Sequence, residues 1–356
     1  MKVLVTGGAG FIGSAFIRRF LAAAEGQIVN IDSLTYAANL DRLSGVANDQ
    51  RYEFVNADIC DGERIGEVLR REKPNAIVHF AAESHVDRSI DSPAVFLQTN
   101  VLGTGALLEA AVRYWSGEGQ VPRTDFRFLH VSTDEVYGDL GATGAFDETS
   151  PYRPSSPYAA SKAASDHLAR AWQRTYGLPV IVTNTCNNYG PYQFPEKLIP
   201  LAILRARLGK SIPLYGDGTN VRDWIHVDDH ADALITILKR GRIGETYAIS
   251  ANETHSNKSV VEGICDAIDA IGTASGRPAR ALIEFVTDRP GHDYRYALDP
   301  AKVMQEFRWR PSREFSQGLR QTVDWYLANE TWWRAILAGG YEAERLGLQI
   351  RTSATR

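Results

Sequence analysis

The chain has 356 residues, 23% of them charged, and a formal net charge of −4. Such a length can bury a large core, in one big domain or two interleaved ones, and the charge balance excludes a basic nucleic-acid or anionic-membrane surface. Cys60, Cys186 and Cys265 lie far apart with no CxxC spacing, so neither a disulfide framework nor a zinc or other metal site is expected, and a reducing, cytoplasmic setting fits.

The apolar run from Lys2 to Thr6 predicts a buried parallel strand. It passes straight into Gly7-Gly-Ala-Gly10-Phe11-Ile12-Gly13, so no signal peptide is expected. A helix with Phe16, Ile17, Phe20 and Leu21 on one stripe follows. Strand, glycine turn and helix start are what a dinucleotide pyrophosphate needs, because the backbone can approach the phosphates and the helix N-terminus offers free N–H donors. The spacing is GxxGxxG, and by itself such a cluster can be a plain turn. Residues 27–31 predict a second strand with Asp32 at its end, close to the ~20 residues beyond the glycines expected for a ribose-binding carboxylate. A carboxylate there would repel a 2′-phosphate and favours NAD over NADP; otherwise Asp32 merely caps the following turn.

Alternation continues with strands over 52–56, 75–80, 126–131 and 178–183 and helices over 64–71, 97–112 and 158–172. Asp58 and Ile59 follow the third strand and Ala81–His85 the fourth. The predicted fold class is therefore α/β, a Rossmann-like doubly wound parallel sheet whose ligand lies beyond the carboxyl ends of its strands. Residues 187–197 read as a polar, aromatic loop suited to lining a ligand. Further helices are expected over 198–208, 227–238 and 260–271 and from Pro300 and Phe315, with a short strand over 246–250. No stretch reads as long and apolar enough to span a bilayer.

Tyr158 and Lys162 stand at i and i+4 on one helix face. A phenol titrates near pH ~10, so Tyr158 is a poor base unless a positive charge lowers it, and Lys162 is placed to do so. Such a pair is common on ordinary helices. Ser132-Thr133 at a strand end, in a chain with a dinucleotide fingerprint, adds a hydroxyl that can orient an alcohol while its proton is removed. Asp134 and Glu135 add two carboxylates, one able to act ionised and one protonated, the pair that β-elimination of water requires. Read alone, they are a solvated loop pair.

With those residues in view, the chain resembles the extended short-chain dehydrogenase/reductases, and among them the dTDP-glucose 4,6-dehydratases. The matching stretches are TGGAGFIGS from Thr6, NIDSLTYAANL from Asn30, AAESHVDRS from Ala81, STDEVYG from Ser132, SPYAASKAASDHL from Ser156, NNYGPYQFPEKLIP from Asn187 and RPGHDYRYALD from Arg289. The resemblance implies an NAD domain (1–185, with 224–250), a smaller, mostly C-terminal α/β substrate domain (186–223 and 251–335), a tail over 340–356, and a homodimer. It implies that Tyr158 deprotonates the carbon-4 hydroxyl, Glu135 removes the carbon-5 proton, Asp134 protonates the leaving carbon-6 hydroxyl, Thr133 orients the substrate and Lys162 tunes Tyr158. NAD contacts would come from Gly7, Gly10, Phe11, Ile12, Gly13, Asp32, Ser33, Leu34, Thr35, Asp58, Ile59, Phe80, Ala81, Ala82, Glu83, Ser84, Thr99, Tyr158, Lys162 and Asn188. Contacts to the sugar nucleotide dTDP-glucose would come from Ser84, Thr133, Asn187, Lys197, Leu198, Pro213, Leu214, Tyr215, Arg222, Asn257, Arg289, Pro290, Gly291, His292 and Asp293. Arg222 and Arg289 suit a diphosphate, since a guanidinium binds phosphate oxygens bidentately. Around Asn257 the sequence Asn252-Glu-Thr-His-Ser-Asn departs from the family's usual Asn-Glu-Lys/Arg-Thr-Asn. A nucleotide-sugar 4-epimerase would share the fold, NAD and the Tyr/Lys pair but has no use for Asp134-Glu135. A non-catalytic NAD-binding protein on this fold would have no use for any of the five catalytic candidates.

Overall fold

The chain was examined as a computed structural model, which describes residues 1–117, 124–271, 277–339 and 341. Its apolar runs become strands β1 (Lys2–Thr6), β2 (Gln27–Asp32), β3 (Tyr52–Asn56), β4 (Ala76–His79), β5 (Arg127–Thr133) and β6 (Val180–Thr185). With β10 (Thr246–Ile249) they make a seven-stranded parallel sheet in the order β10-β6-β5-β4-β1-β2-β3. The order reverses at β1, which pairs with both β2 and β4, so a crevice opens beyond their carboxyl ends.

Successive β1 side chains enter opposite faces, as a period of two demands. Val3 and Val5 pack with Phe16, Phe20 and Leu234, whereas Leu4 packs with Ile65, Leu107 and Leu178. Burying each such side chain contributes about 1.5–3 kcal/mol, and both faces are covered. The helices Phe11–Ala22 and Val227–Arg240 lie on one side, and Gly62–Glu72 and Pro157–Tyr176 on the other.

One expectation is corrected. The helical run Pro93–Ser116, 24 residues including a wider π-type turn at Leu97–Gly103, is long and apolar enough to cross a membrane by length and composition. Its polar side chains are nevertheless committed to the fold. Asn100 Nδ2 donates to Glu83 O (3.0 Å) and Ser161 Oγ (2.8 Å), and Thr104 Oγ1 pairs with His79 Nε2 (3.0 Å). Composition alone does not distinguish a sheet-packed helix of this kind from a spanning one.

A second apolar cluster gathers Tyr189, Ile203, Trp224, Val261, Ile264, Phe315, Tyr326 and Trp333. It supports two small sheets that sequence patterning missed: β7 (Asn187–Tyr189), β9 (Val221–His226) and β11 (Thr254–Ser256) form one, and β8 (Ile212–Tyr215) with β12 (Ile283–Val286) the other. The segment read as a loop over 187–197 thus begins as a strand. The helix expected over 260–271 is Asn257–Asp269, started early because Ser256 Oγ accepts from Ser259 N at 3.1 Å. Of the expected tail, only Tyr341 lies among the described residues; its ring meets Phe194 with centroids 5.2 Å apart.

Candidate active site

A cleft of about 320 Å³ opens where β1, β4 and β5 end, and a second cavity of about 170 Å³ adjoins it. Glu135, Asn187, Glu196 and Lys197 line both, so the two are continuous chemistry.

The first cleft takes its shape from glycine. Gly7 has φ +73°, and a Cβ on it would stand 2.6 Å from Ala81 N; one on Gly13 would stand 2.4 Å from Gly7 O. The turn therefore presses against β4's end while leaving its N–H groups and the start of helix Phe11–Ala22 toward the cleft. Gly7→Ala is expected to cost about 1–3 kcal/mol in backbone strain and to strip bound cofactor, measured as a lowered melting temperature together with loss of cofactor after gel filtration. Retained cofactor at an unchanged melting temperature would contradict that role.

Asp32, at the end of β2, accepts from Ala9 N (Oδ2, 2.9 Å) and Leu34 N (Oδ1, 2.8 Å). Burial pushes its carboxyl up, and these bonds and the Arg42 charge pull it back. Arg42, which sequence reading missed, is 1% exposed and ties three segments around the cleft. Its Nη1 donates to Ala9 O (2.8 Å) and Ala37 O (2.7 Å), and its Nε to Tyr192 O (3.0 Å). Every residue expected at the cofactor lines this cleft except Leu34, which is exposed at φ +54° and contributes its backbone N–H to Asp32.

Thr133 ends β5, and Asp134–Tyr137 turn in a 3-10 helix. Thr133 Oγ1 accepts from Glu135 N (3.2 Å) and donates to Asp134 Oδ1 (3.2 Å), while the buried Asp134 Oδ2 has no partner. Burial, then Glu135 and Asp223, push the Asp134 carboxyl well above the usual carboxylate range. Burial also raises Glu135, but Arg289, Lys197 and Arg222 oppose it with three positive charges. The two adjacent carboxyls thus sit in unlike fields, with Asp134 raised further than Glu135.

Tyr158 lines the same cleft. Burial, then the charge of Glu135, raise Tyr158, and the opposing pull comes from Thr133. Lys162 points its ammonium at Val131 O, 2.9 Å away.

In the second cavity Lys197 Nζ donates to Ser84 O (2.7 Å). Arg289 Nη1 pairs with Asp87 Oδ1 (2.8 Å), leaving its buried Nε without a partner. Arg222 is more committed: it donates to Val221 O (2.7 Å) and Asp293 O (2.9 Å) and lies over the Tyr296 ring, 4.3 Å from its centroid. Leu198, Pro213, Leu214, Tyr215, Asn257 and His292 line this cavity. Pro290, Gly291 and Asp293 do not; the Asp293 carboxylate faces inward to Ser155 Oγ (2.6 Å) and the Tyr296 hydroxyl. Sequence reading missed Asp87, which also accepts from Tyr215 OH (2.6 Å), and Trp224 and Glu196. Each is an ordinary helix, strand or loop residue until the fold brings it to the wall.

Residues 4–322 match the family model described as GDP-mannose 4,6 dehydratase. The chain is 54% identical over 352 residues to the dTDP-glucose 4,6-dehydratase of Neisseria meningitidis serogroup B, covering 97% of this chain and 99% of that protein. Among solved structures it is similar to the dTDP-glucose 4,6-dehydratase DesIV of Streptomyces venezuelae with NAD bound (TM-score 0.86, 47% identity, 94% of this chain and 100% of that one). The UDP-glucose 4-epimerase of Thermus thermophilus in complex with NAD shares the fold at lower identity (TM-score 0.80, 30% identity, 92% of this chain and 100% of that one). Full-length identity of this order, with the match to the family model, places the chain in the dTDP-glucose 4,6-dehydratase family.

Proposed function

We propose that this chain is an NAD-dependent hydro-lyase that converts dTDP-glucose to dTDP-4-keto-6-deoxyglucose. The observation that carries the reading is the Asp134–Glu135 pair, held in unlike electrostatic fields on the cleft wall that also holds Tyr158. The residues of the first cleft fit NAD: the Gly7 and Gly13 cradle has no room for a Cβ, and Asp32 sits at the β2 end with Arg42 behind it. When bound, NAD supplies the acceptor for the carbon-4 hydride and gives it back at carbon 6.

The chain's own residues move the protons. Tyr158 takes the proton from the carbon-4 hydroxyl, which Thr133 orients. The ketone so formed acidifies the neighbouring carbon–hydrogen bond, and Glu135, whose carboxyl burial raises while three cations hold that rise back, removes the carbon-5 proton. Asp134, kept neutral by burial, protonates the hydroxyl leaving carbon 6. Lys162 would hold the nicotinamide ribose, and Arg289, whose buried Nε has no partner, would bind the diphosphate. A 4-epimerase has no step for either carboxyl. Incubation of the purified protein with dTDP-glucose is expected to give a 4-keto-6-deoxy product, read by its absorbance in alkali. Absence of product from protein that carries NAD would sink the reading.

The domain boundaries 1–185 with 224–250, and 186–223 with 251–335, are part of the proposal; the separate apolar clusters support two bodies, although Leu298, Val303, Phe307 and Trp309 pack with the large sheet and Trp224 with the Tyr189–Trp333 group. So is a homodimer, supported by exposed Val95, Leu97 and Leu102 on the helix Pro93–Ser116, and checked by sedimentation. A cytoplasmic setting is supported by the free thiols of Cys60, Cys186 and Cys265.

A further inference from the structure

Below the catalytic turn lies a buried polar layer that the proton transfers do not use. The helix Pro157–Tyr176 carries Tyr158, Lys162 and Asp166 at i, i+4 and i+8, all on its inner face and none more than 9% exposed. Asp166 is fully buried. Its Oδ1 accepts from His130 Nε2 (3.0 Å), and its Oδ2 from Tyr152 OH (2.7 Å) and Asn184 Nδ2 (3.2 Å). Asn184 Nδ2 also donates to Thr133 O (3.1 Å), and Lys162 reaches Val131 O on the same strand.

Among the described residues two cations border this layer, Lys162 and Arg170, and only Lys162 lies beside Tyr158 on the inner face of the helix. His130 on β5 and His79 on β4, whose rings are 5.3 Å apart, are both held neutral by burial. His130 gives its Nε2 proton to Asp166 while its buried Nδ1 has no partner, the pattern of a neutral imidazole. From the turn after β5, Asp134 is kept neutral by burial and Glu135 faces Arg289, Lys197 and Arg222. On the same helix Arg170 gives its Nη2 to Tyr152 OH (2.8 Å) and Thr246 Oγ1 (3.2 Å). Burial works against the Lys162 ammonium, and Asp166 is the group that opposes it.

We propose that Asp166 is the internal counterion of Lys162, a positioning residue that keeps the buried ammonium charged beside Tyr158 and steadies the β5 end that carries Thr133. The inference rests on the reading of Lys162 as part of the oxidation machinery. It assigns the polar layer a task beyond filling space: an amine buried without this carboxylate would shed its proton, and the positive field at the phenol would go with it.

Asp166→Asn keeps the shape and removes the charge. The alkaline limb of its kcat/KM profile is expected to move to lower pH by about one unit or more, because an ammonium without its anion deprotonates sooner. Tyr152→Phe removes one hydrogen bond from Asp166 and leaves the charge, so its alkaline limb stays in place. A lower melting temperature with an unmoved limb in Asp166→Asn, or equal displacement in both variants, would overturn the proposal. The ¹³Cε chemical shift of Lys162 in labelled wild-type protein reads the charge without turnover and without a variant that might misfold. An ammonium at neutral pH is expected, and a neutral amine there contradicts the proposal. Should the wild type fail to dehydrate dTDP-glucose, the functional reading falls while the shift still decides the role of Asp166.

Discussion

Glu135→Gln is expected to lower dehydration by about 10²–10⁴-fold, the usual worth of a positioned proton-transfer group, while leaving the first oxidation intact. The amide keeps the size of Glu135 and its backbone bond to Thr133 Oγ1, but it cannot take a proton from carbon 5. Oxidised substrate that still holds its carbon-6 hydroxyl should therefore build up on the protein. Quenching with borodeuteride and weighing the recovered sugar nucleotide would reveal it, as deuterium on carbon 4 of an otherwise unchanged hexose. Near-native product formation would remove Glu135 from the role of base. The effect should be large because the geometry offers no substitute: with Glu135 replaced, burial and Asp223 still hold its neighbour Asp134 up.

Tyr158→Phe should be equally severe and fail one step earlier. Removing the phenol deletes the group that takes the carbon-4 proton, so turnover should fall by about 10²–10⁴-fold and the borodeuteride quench should find no oxidised hexose. Packing should survive, since the ring's edge contact with Phe96, centroids 6.3 Å apart, needs no hydroxyl. A variant that still accumulates the 4-keto species would show that another group accepts the proton. Together the two variants separate oxidation from elimination: one blocks before the ketone, the other after it.

The central sheet was legible because β1, β2 and β4 to β6 are buried on both faces and read as largely apolar runs such as Lys2–Thr6. The glycine turn was legible because close backbone approach, here Gly7 against Ala81, admits no other residue. The short strands were not. Asn187–Tyr189 and Thr254–Ser256 are three residues each, too short for a period, and their polar residues read as loop. Among site residues, Tyr158 and Lys162 follow from helical spacing read together with Ser132-Thr133 and the glycine fingerprint. Arg42 and Asp166 do not, because Arg42 reaches Ala9 and Tyr192, 33 and 150 residues away, and Asp166 reaches His130 and Tyr152, 36 and 14 residues away.

The claim that everything else serves is that Asp134 and Glu135 turn an oxidation into a dehydration. Turnover of dTDP-glucose in deuterated water tests it most directly, with the product's deuterium located by NMR. Glu135 must take the carbon-5 proton and exchange it with solvent, so the account expects one deuterium in the 4-keto-6-deoxy product, on carbon 5, and none on carbon 6. Product without deuterium at carbon 5, or a sugar that returns with its carbon-6 hydroxyl in place and only its carbon-4 configuration changed, would contradict it.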